Sequence, residues 1–200
     1  LGCRVVSTVG PVLIVGSGLL GASLGLALRA GGVRVYLEDA SPTSLRLACD
    51  VGAGEAFGDV LAEAGVRRSG CGSDRLGYEA PRLVIVATPP DVADRIIVES
   101  LLRFPDAIVT DVASVKDAVV ADVLSGLRSE GCLDAASRYV GSHPMAGRER
   151  SGAGAADADL FYGRPWVIVA HETTWPRAVL TARALATDVG AVPLEMNAGT

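Results

Sequence analysis

Short apolar runs alternate with helical periods along most of the chain. Val12-Leu13-Ile14-Val15 is an apolar run of strand length, and Leu19 to Ala30 carries helical spacing closed by Gly31-Gly32. Val33 to Leu37 predicts a second strand ending in Glu38-Asp39. Ser41 as N-cap and Pro42 in the first turn then open a helix to about Val51. Residues 52–80 are glycine-rich and poorly periodic, predicting only a short strand near Glu55–Phe57 and a helix near Asp59–Ala64. Leu83 to Ala87 is continuously apolar, as central parallel strands are. Thr88-Pro89-Pro90 ends it and a helix follows to about Arg103. The pattern continues with a strand at Ala107–Thr110, a helix from Ser114 to about Ser129 and extended chain at Arg138–Gly141. It closes with a strand at Trp166–Ala170, a helix from about Thr174 to Val189 and a strand at Ala191–Met196. Strand and helix repeated in this order predict one doubly wound α/β domain over residues 1–200, its sheet mostly parallel and covered by helices on both faces.

Composition narrows the function classes. Half of the residues are apolar and few are aromatic, which suits helices packed on a buried sheet. A formal charge of −5, with no basic patch beyond the isolated Arg67-Arg68 pair, argues against a nucleic-acid partner. Cys3, Cys49, Cys71 and Cys132 lack C-x-x-C spacing, so neither a disulfide framework nor a metal site is expected, and a reducing cytoplasm is the natural setting. Val12 to Leu28 looks apolar, but glycines at 16, 18, 21 and 25 interrupt it, and neither a bilayer span nor a signal peptide is expected. The chain opens on Leu1 and ends just after a strand, so further chain is expected on both sides.

Gly16-Ser17-Gly18-Leu19-Leu20-Gly21 matches G-x-G-x-x-G between the first strand and the first helix. The first glycine permits the tight turn, the second lets the backbone approach a pyrophosphate, and the third lets the helix pack close to the strand. Free N–H groups and the positive end of the helix dipole face the phosphates. Asp39, ending the second strand, is placed to accept hydrogen bonds from ribose hydroxyls and to repel a 2′-phosphate, favouring NAD over NADP; Glu38 can share that role. Thr88 and Pro89 lie where such sheets place ligands, although a plain strand-ending turn accounts for them equally well. The expected architecture is therefore of Rossmann type.

A second group of residues carries candidate chemistry. Ser114 with Asp117 fits a capping box, which alone explains the serine; its hydroxyl can also face a ligand or brace an imidazole. Lys116 sits unfavourably in a first helical turn, which points to an anionic neighbour such as Asp111. His143, one of two histidines, lies in Gly141-Ser-His-Pro-Met-Ala-Gly147, read as a glycine–proline turn at the end of a strand, and suits general acid–base work. Arg148 and Arg150 follow, where a carboxylate substrate can be held or where the turn is simply solvated. His171 has no supporting polar cluster and reads as a plain surface histidine.

Together these segments resemble the prephenate/arogenate dehydrogenase family of tyrosine biosynthesis, as its nucleotide-binding half. The likeness rests on Gly16–Gly21, Asp111-Val-Ala-Ser114-Val-Lys116, Gly141–Gly147 with Glu149 and Ser151-Gly152, and Leu160-Phe161 through Trp166. It implies NAD-dependent oxidative decarboxylation of prephenate or arogenate. His143 is then the base, Ser114 its partner, Arg148 and Glu149 lie at the substrate, and no metal takes part. It further implies a helical domain after residue 200 that makes a homodimer and completes the substrate site. Two other functions fit the nucleotide motif: a β-hydroxyacid dehydrogenase or imine reductase, and a non-catalytic NAD-binding regulatory module.

Overall fold

The computed structural model describes residues 6–65, 78–146 and 152–197. Eight strands form one sheet: β1 (Val12–Val15), β2 (Val35–Glu38), β3 (Glu55–Ala56), β4 (Leu83–Val86), β5 (Ile108–Asp111), β6 (Tyr139–Pro144), β7 (Pro165–Ala170) and β8 (Val192–Asn197). Six helices connect them: α1 (Leu19–Ala30), α2 (Pro42–Asp50), α3 (Phe57–Glu63), α4 (Pro90–Arg103), α5 (Lys116–Ser129) and α6 (Pro176–Asp188). The strand order is β3-β2-β1-β4-β5-β6-β7-β8. The order reverses between β1 and β4, and the crevice outside their carboxyl ends is where open α/β sheets place ligands.

The apolar runs read from the sequence are the central strands, and their alternate residues feed two cores. Val12, Ile14, Leu83 and Ile85 pack on one face with α1, α2 and α6, while Leu13, Val84, Val86 and Val109 pack on the other with α3, α4 and α5. Ser41 caps α2 as expected, its side chain accepting the Ser44 N–H at 3.3 Å. Every predicted element is present, β1 and α1 with the expected bounds and the others with ends displaced by at most three residues.

Three features differ from the expectation. β6 extends through His143 to Pro144, so the histidine sits on a strand and not in a turn. β6 and β7 pair antiparallel, with His143 opposite Val167. The described part of their connection holds only a short 3-10 turn, Ala153–Ala155, in place of a crossover helix, so the chain returns in the opposite direction. Lastly, α5 begins at Lys116 with Val115 at its N-cap and no side-chain cap, so Ser114 does not form the expected capping box.

An unpredicted 3-10 turn, Leu133–Arg138, leads into β6 and ends in a buried arginine. The Arg138 guanidinium donates to the carbonyls of Phe104 and Ala107 at 2.9 and 3.0 Å and of Leu101 at 2.7 Å, closing the end of α4. Burial lowers its pKa, with Asp106 opposing the shift. Arg138→Met should cost roughly 2–4 kcal/mol, because three buried carbonyls lose a charged donor. Urea unfolding would register this as a lower midpoint at unchanged slope, and an unchanged midpoint would refute the capping role.

Candidate active site

The glycine turn after β1 has the geometry the motif requires. Gly16 adopts φ +100°, and a Cβ there would stand 2.5 Å from the Ala87 carbonyl oxygen at the end of β4. A Cβ on Gly21 would lie 1.9 Å from the Gly16 oxygen, so only glycine lets α1 start this close to β1. Gly18 differs from both: its Cβ position meets nothing within 4 Å. It is the N-cap of α1 and carries no side-chain cap, which leaves the helix N-terminus open to a ligand.

Asp39 directly follows β2, and internal donors already occupy much of its carboxylate. Ser17 donates to one oxygen from its N–H at 2.6 Å and from its hydroxyl at 2.7 Å, and the Ser41 N–H reaches the other at 2.7 Å. A carboxylate offers about four lone-pair sites, so room for one ribose hydroxyl remains. Glu38, the last residue of β2, pairs with Arg103 of α4, 2.9 Å away.

A cavity of about 270 Å³ opens beside this turn. Leu20, Thr88, Ser114, His143 and Pro144 are among the residues that line it. Leu20 lies in the first turn of α1, Thr88 and Ser114 follow β4 and β5, and β6 supplies the last two, so the cavity gathers both expected catalytic side chains, His143 and Ser114. The Thr88 hydroxyl is buried there without a hydrogen-bond partner. An orphaned donor at a nucleotide crevice suits the amide or hydroxyl of a bound ligand. Pro89, expected to touch the cofactor, is the exposed N-cap of α4, and it is Pro90 that lines the cavity. Ser114 is exposed, and among the described contacts no hydrogen bond joins it to His143. Arg148, Glu149 and Arg150 lie outside the described residues.

Behind His143 lies a polar cluster only partly anticipated. Asp111 is fully buried and pairs with Lys116, whose ammonium also donates to the Ser142 carbonyl at 2.7 Å. The Tyr139 hydroxyl donates to the other Asp111 oxygen at 2.9 Å, and the Ser142 hydroxyl to the Asp111 carbonyl at 2.7 Å. The anionic neighbour expected for Lys116 is thus Asp111. Sequence reasoning missed Tyr139 and Ser142. A tyrosine opening a buried strand was the available signal, since its hydroxyl needs a partner there.

Burial lowers the His143 pKa, the Lys116 charge lowers it further, and Asp111 opposes both. The net direction favours a neutral imidazole, the form able to accept a proton. His171 corrects the sequence reading. It is half-buried, its Nε2 lies 3.1 Å from the Ala136 carbonyl, its Nδ1 meets the Thr173 hydroxyl at 3.2 Å, and its ring stacks on Tyr139 at 6.1 Å. Burial lowers its pKa as well, against hydrogen bonds to the backbone of Ala136 and Tyr139.

A doubly wound sheet, a glycine turn at its switch point and a histidine across the cavity define a dinucleotide-binding dehydrogenase domain. The chain belongs to the prephenate dehydrogenase, nucleotide-binding domain family, which matches residues 24–195. It is 37% identical over 186 residues to the probable prephenate dehydrogenase NovF of Streptomyces niveus, covering 93% of this chain and 45% of that protein. It is 27% identical to prephenate dehydrogenase of Bacillus subtilis (strain 168), covering 93% of this chain and 46% of the relative. The crystal structure of prephenate dehydrogenase from A. aeolicus with hydroxyphenyl propionate and NAD+ superposes with a TM-score of 0.75. That match is 27% identical and covers 95% of this chain and 60% of the other. The chain therefore spans about half the length of the curated relatives it matches. Among the described residues no helix is long and apolar enough to cross a membrane, and no cluster of side chains could hold a metal ion.

Both imidazoles are held below the ordinary value of 6.5, so just under that value the folded chain binds fewer protons than the unfolded one. Stability then falls as pH drops through 6.5 toward the folded-state values, and is recovered on the return. Urea midpoints at about pH 7 and about pH 5.5 should show this fall. A fall of unchanged size in a variant lacking both histidines would assign it to other groups.

Proposed function

We propose that this chain is the NAD-binding half of an enzyme that oxidatively decarboxylates prephenate or arogenate, with His143 as its base. The observation that carries the reading is that His143, Ser114 and the orphaned Thr88 hydroxyl line one cavity beside the glycine turn. The relatives' names and the NAD+ in the A. aeolicus structure support it. The fit to NAD rests on the open Gly18, the uncapped α1 terminus and the acceptor left on Asp39.

The turn at Gly16–Gly21 would hold the pyrophosphate on backbone N–H groups, and Asp39, braced by Ser17 and Ser41, would take a ribose hydroxyl. NAD, when bound, accepts the hydride. His143 would accept a hydrogen bond from the hydroxyl on the substrate's ring and take its proton as hydride leaves the same carbon. The bond from ring to carboxylate breaks, carbon dioxide departs, the electron pair left behind makes the ring aromatic, and the proton held by His143 would return to the phenolate oxygen. The product is 4-hydroxyphenylpyruvate from prephenate or tyrosine from arogenate. Ser114, exposed and lining the same cavity, would orient the substrate hydroxyl, since among the described contacts no hydrogen bond joins it to the imidazole. Arg148 and Glu149 would contact the substrate. A helical domain outside this chain would complete the pocket and make a homodimer in the cytoplasm.

Two variants test the cofactor half directly. Gly18→Ala should keep its unfolding temperature, since the new methyl meets nothing, yet bind NAD at least about tenfold more weakly. Gly21→Ala should lose both. An alanine at 18 that leaves NAD affinity intact would put the dinucleotide elsewhere.

For the reaction, His143→Asn in the longest natural chain containing this domain should lower kcat by about 10²–10⁴-fold with NAD affinity unchanged. Retained turnover would remove His143 as base. NADH formation with simple hydroxyacids, and none with prephenate or arogenate, would remove the proposed substrates.

A further inference from the structure

Lys116 reaches the site by an unusual route. Its aliphatic stem crosses Gly141, where an added Cβ would lie 3.3 Å from Lys116 Cδ, 3.5 Å from the Tyr139 hydroxyl and 3.5 Å from the Val169 carbonyl. Side-chain volume at 141 would push the stem aside, so the glycine two residues before His143 makes room for a lysine on another element. At the end of that passage the ammonium is about nine-tenths buried, bonded to Asp111 and to the carbonyl of Ser142, the residue before the base. An ordinary buried ion pair needs only its counter-ion. This one also grips the backbone that presents the imidazole.

We propose that Lys116 is a positioning residue for His143: anchored on Asp111, its ammonium fixes the Ser142 carbonyl and sets a positive charge near the imidazole. The inference rests on His143 being the base of the proposed reaction, but the contact itself does not. Burial lowers the Lys116 pKa, and the charge and hydrogen bond of Asp111 oppose that shift and favour the ammonium form. Facing the ring among the described residues are Lys116 from α5 and Asp111 from β5; β7 presents Val167, the turn after β4 presents Thr88 and the start of α4 presents Pro90, all uncharged. The Lys116 effect on the ring outweighs that of Asp111, so the pair acts on His143 as a net cation. A charge in this position keeps the base unprotonated at lower pH and hastens loss of the proton it has gained.

The test is the titration of His143, followed by NMR on the imidazole carbon of this chain and assigned with His143→Asn. Lys116→Met should raise that pKa by roughly half a unit or more, and Lys116→Arg should hold it near the wild-type value. Should the lone Asp111 prevent Lys116→Met from folding, D111N/K116M removes both charges together. It should still raise the pKa, by a smaller amount. In the active full-length enzyme the acid limb of the kcat/KM profile should move up with the NMR value, with kcat falling more than KM rises. A shifted NMR titration with an unmoved acid limb would uphold the Lys116 contact while rejecting His143 as base. An unmoved NMR titration in both uncharged variants would overturn the proposal and leave Lys116 a structural residue only.

Discussion

The buried carboxylate of Asp111 is the constraint around which the site is built. It stands at the carboxyl end of β5, fully excluded from water, and accepts from the Ala113 N–H at 3.0 Å as well as from Lys116 and Tyr139. A buried anion is tolerated only when donors surround it, and removing its cationic partner typically costs about 3–5 kcal/mol. The donors come from the turn after β5, the start of α5 and the start of β6, so satisfying one carboxylate fixes three elements against one another. Its own backbone carbonyl takes the Ser142 hydroxyl, and Thr110 one residue earlier donates to the Val140 carbonyl at 2.7 Å. The strand that carries His143 is thereby stitched to β5 by side chains as well as by the parallel ladder.

This arrangement explains how His143, the proposed base, is held on a strand. Catalytic side chains commonly sit on loops that a rigid scaffold positions. Here β6 continues past the end of its pairing with β5 at Gly141 and gains a new neighbour in β7, so His143 and Pro144 remain inside a ladder while facing the crevice. An imidazole on a paired strand has little backbone freedom to lose, which favours fixed geometry over an adaptable loop.

Most of the fold was legible because the apolar runs are unbroken. Leu83–Val86 is buried throughout and Val12–Val15 nearly so, and short unbroken apolar runs between turn signals are what central parallel strands use. The glycine motif was legible because steric necessity fixes Gly16 and Gly21, whatever the ligand. What stayed hidden depended on distant partners. The extension of β6 through Gly-Ser-His-Pro reads as a turn in one dimension, and only the antiparallel return of β7 makes it a strand. Ser114 satisfied a local capping pattern, yet the helix starts two residues later, where Lys116 is drawn to Asp111. Arg138 looked like a strand-opening cation, and its role as a cap for α4 follows from contacts more than thirty residues away in sequence.

The two histidines show how environment assigns roles to identical rings. Both are partly buried and both are shifted toward the neutral form. Both nitrogens of His171 are engaged, by the Ala136 carbonyl and the Thr173 hydroxyl, and its ring lies against Tyr139, so it ties the 3-10 turn to the sheet. His143 lines an open cavity instead, and its shift comes partly from a cation anchored below it. Tyr139 lies between the two, stacking on one histidine and donating to the carboxylate that holds the cation near the other. A ring whose nitrogens are both spent on the protein has no lone pair or proton to offer a substrate. By that criterion, among the described residues, the histidine facing the cavity is the one with a ring nitrogen left for a ligand.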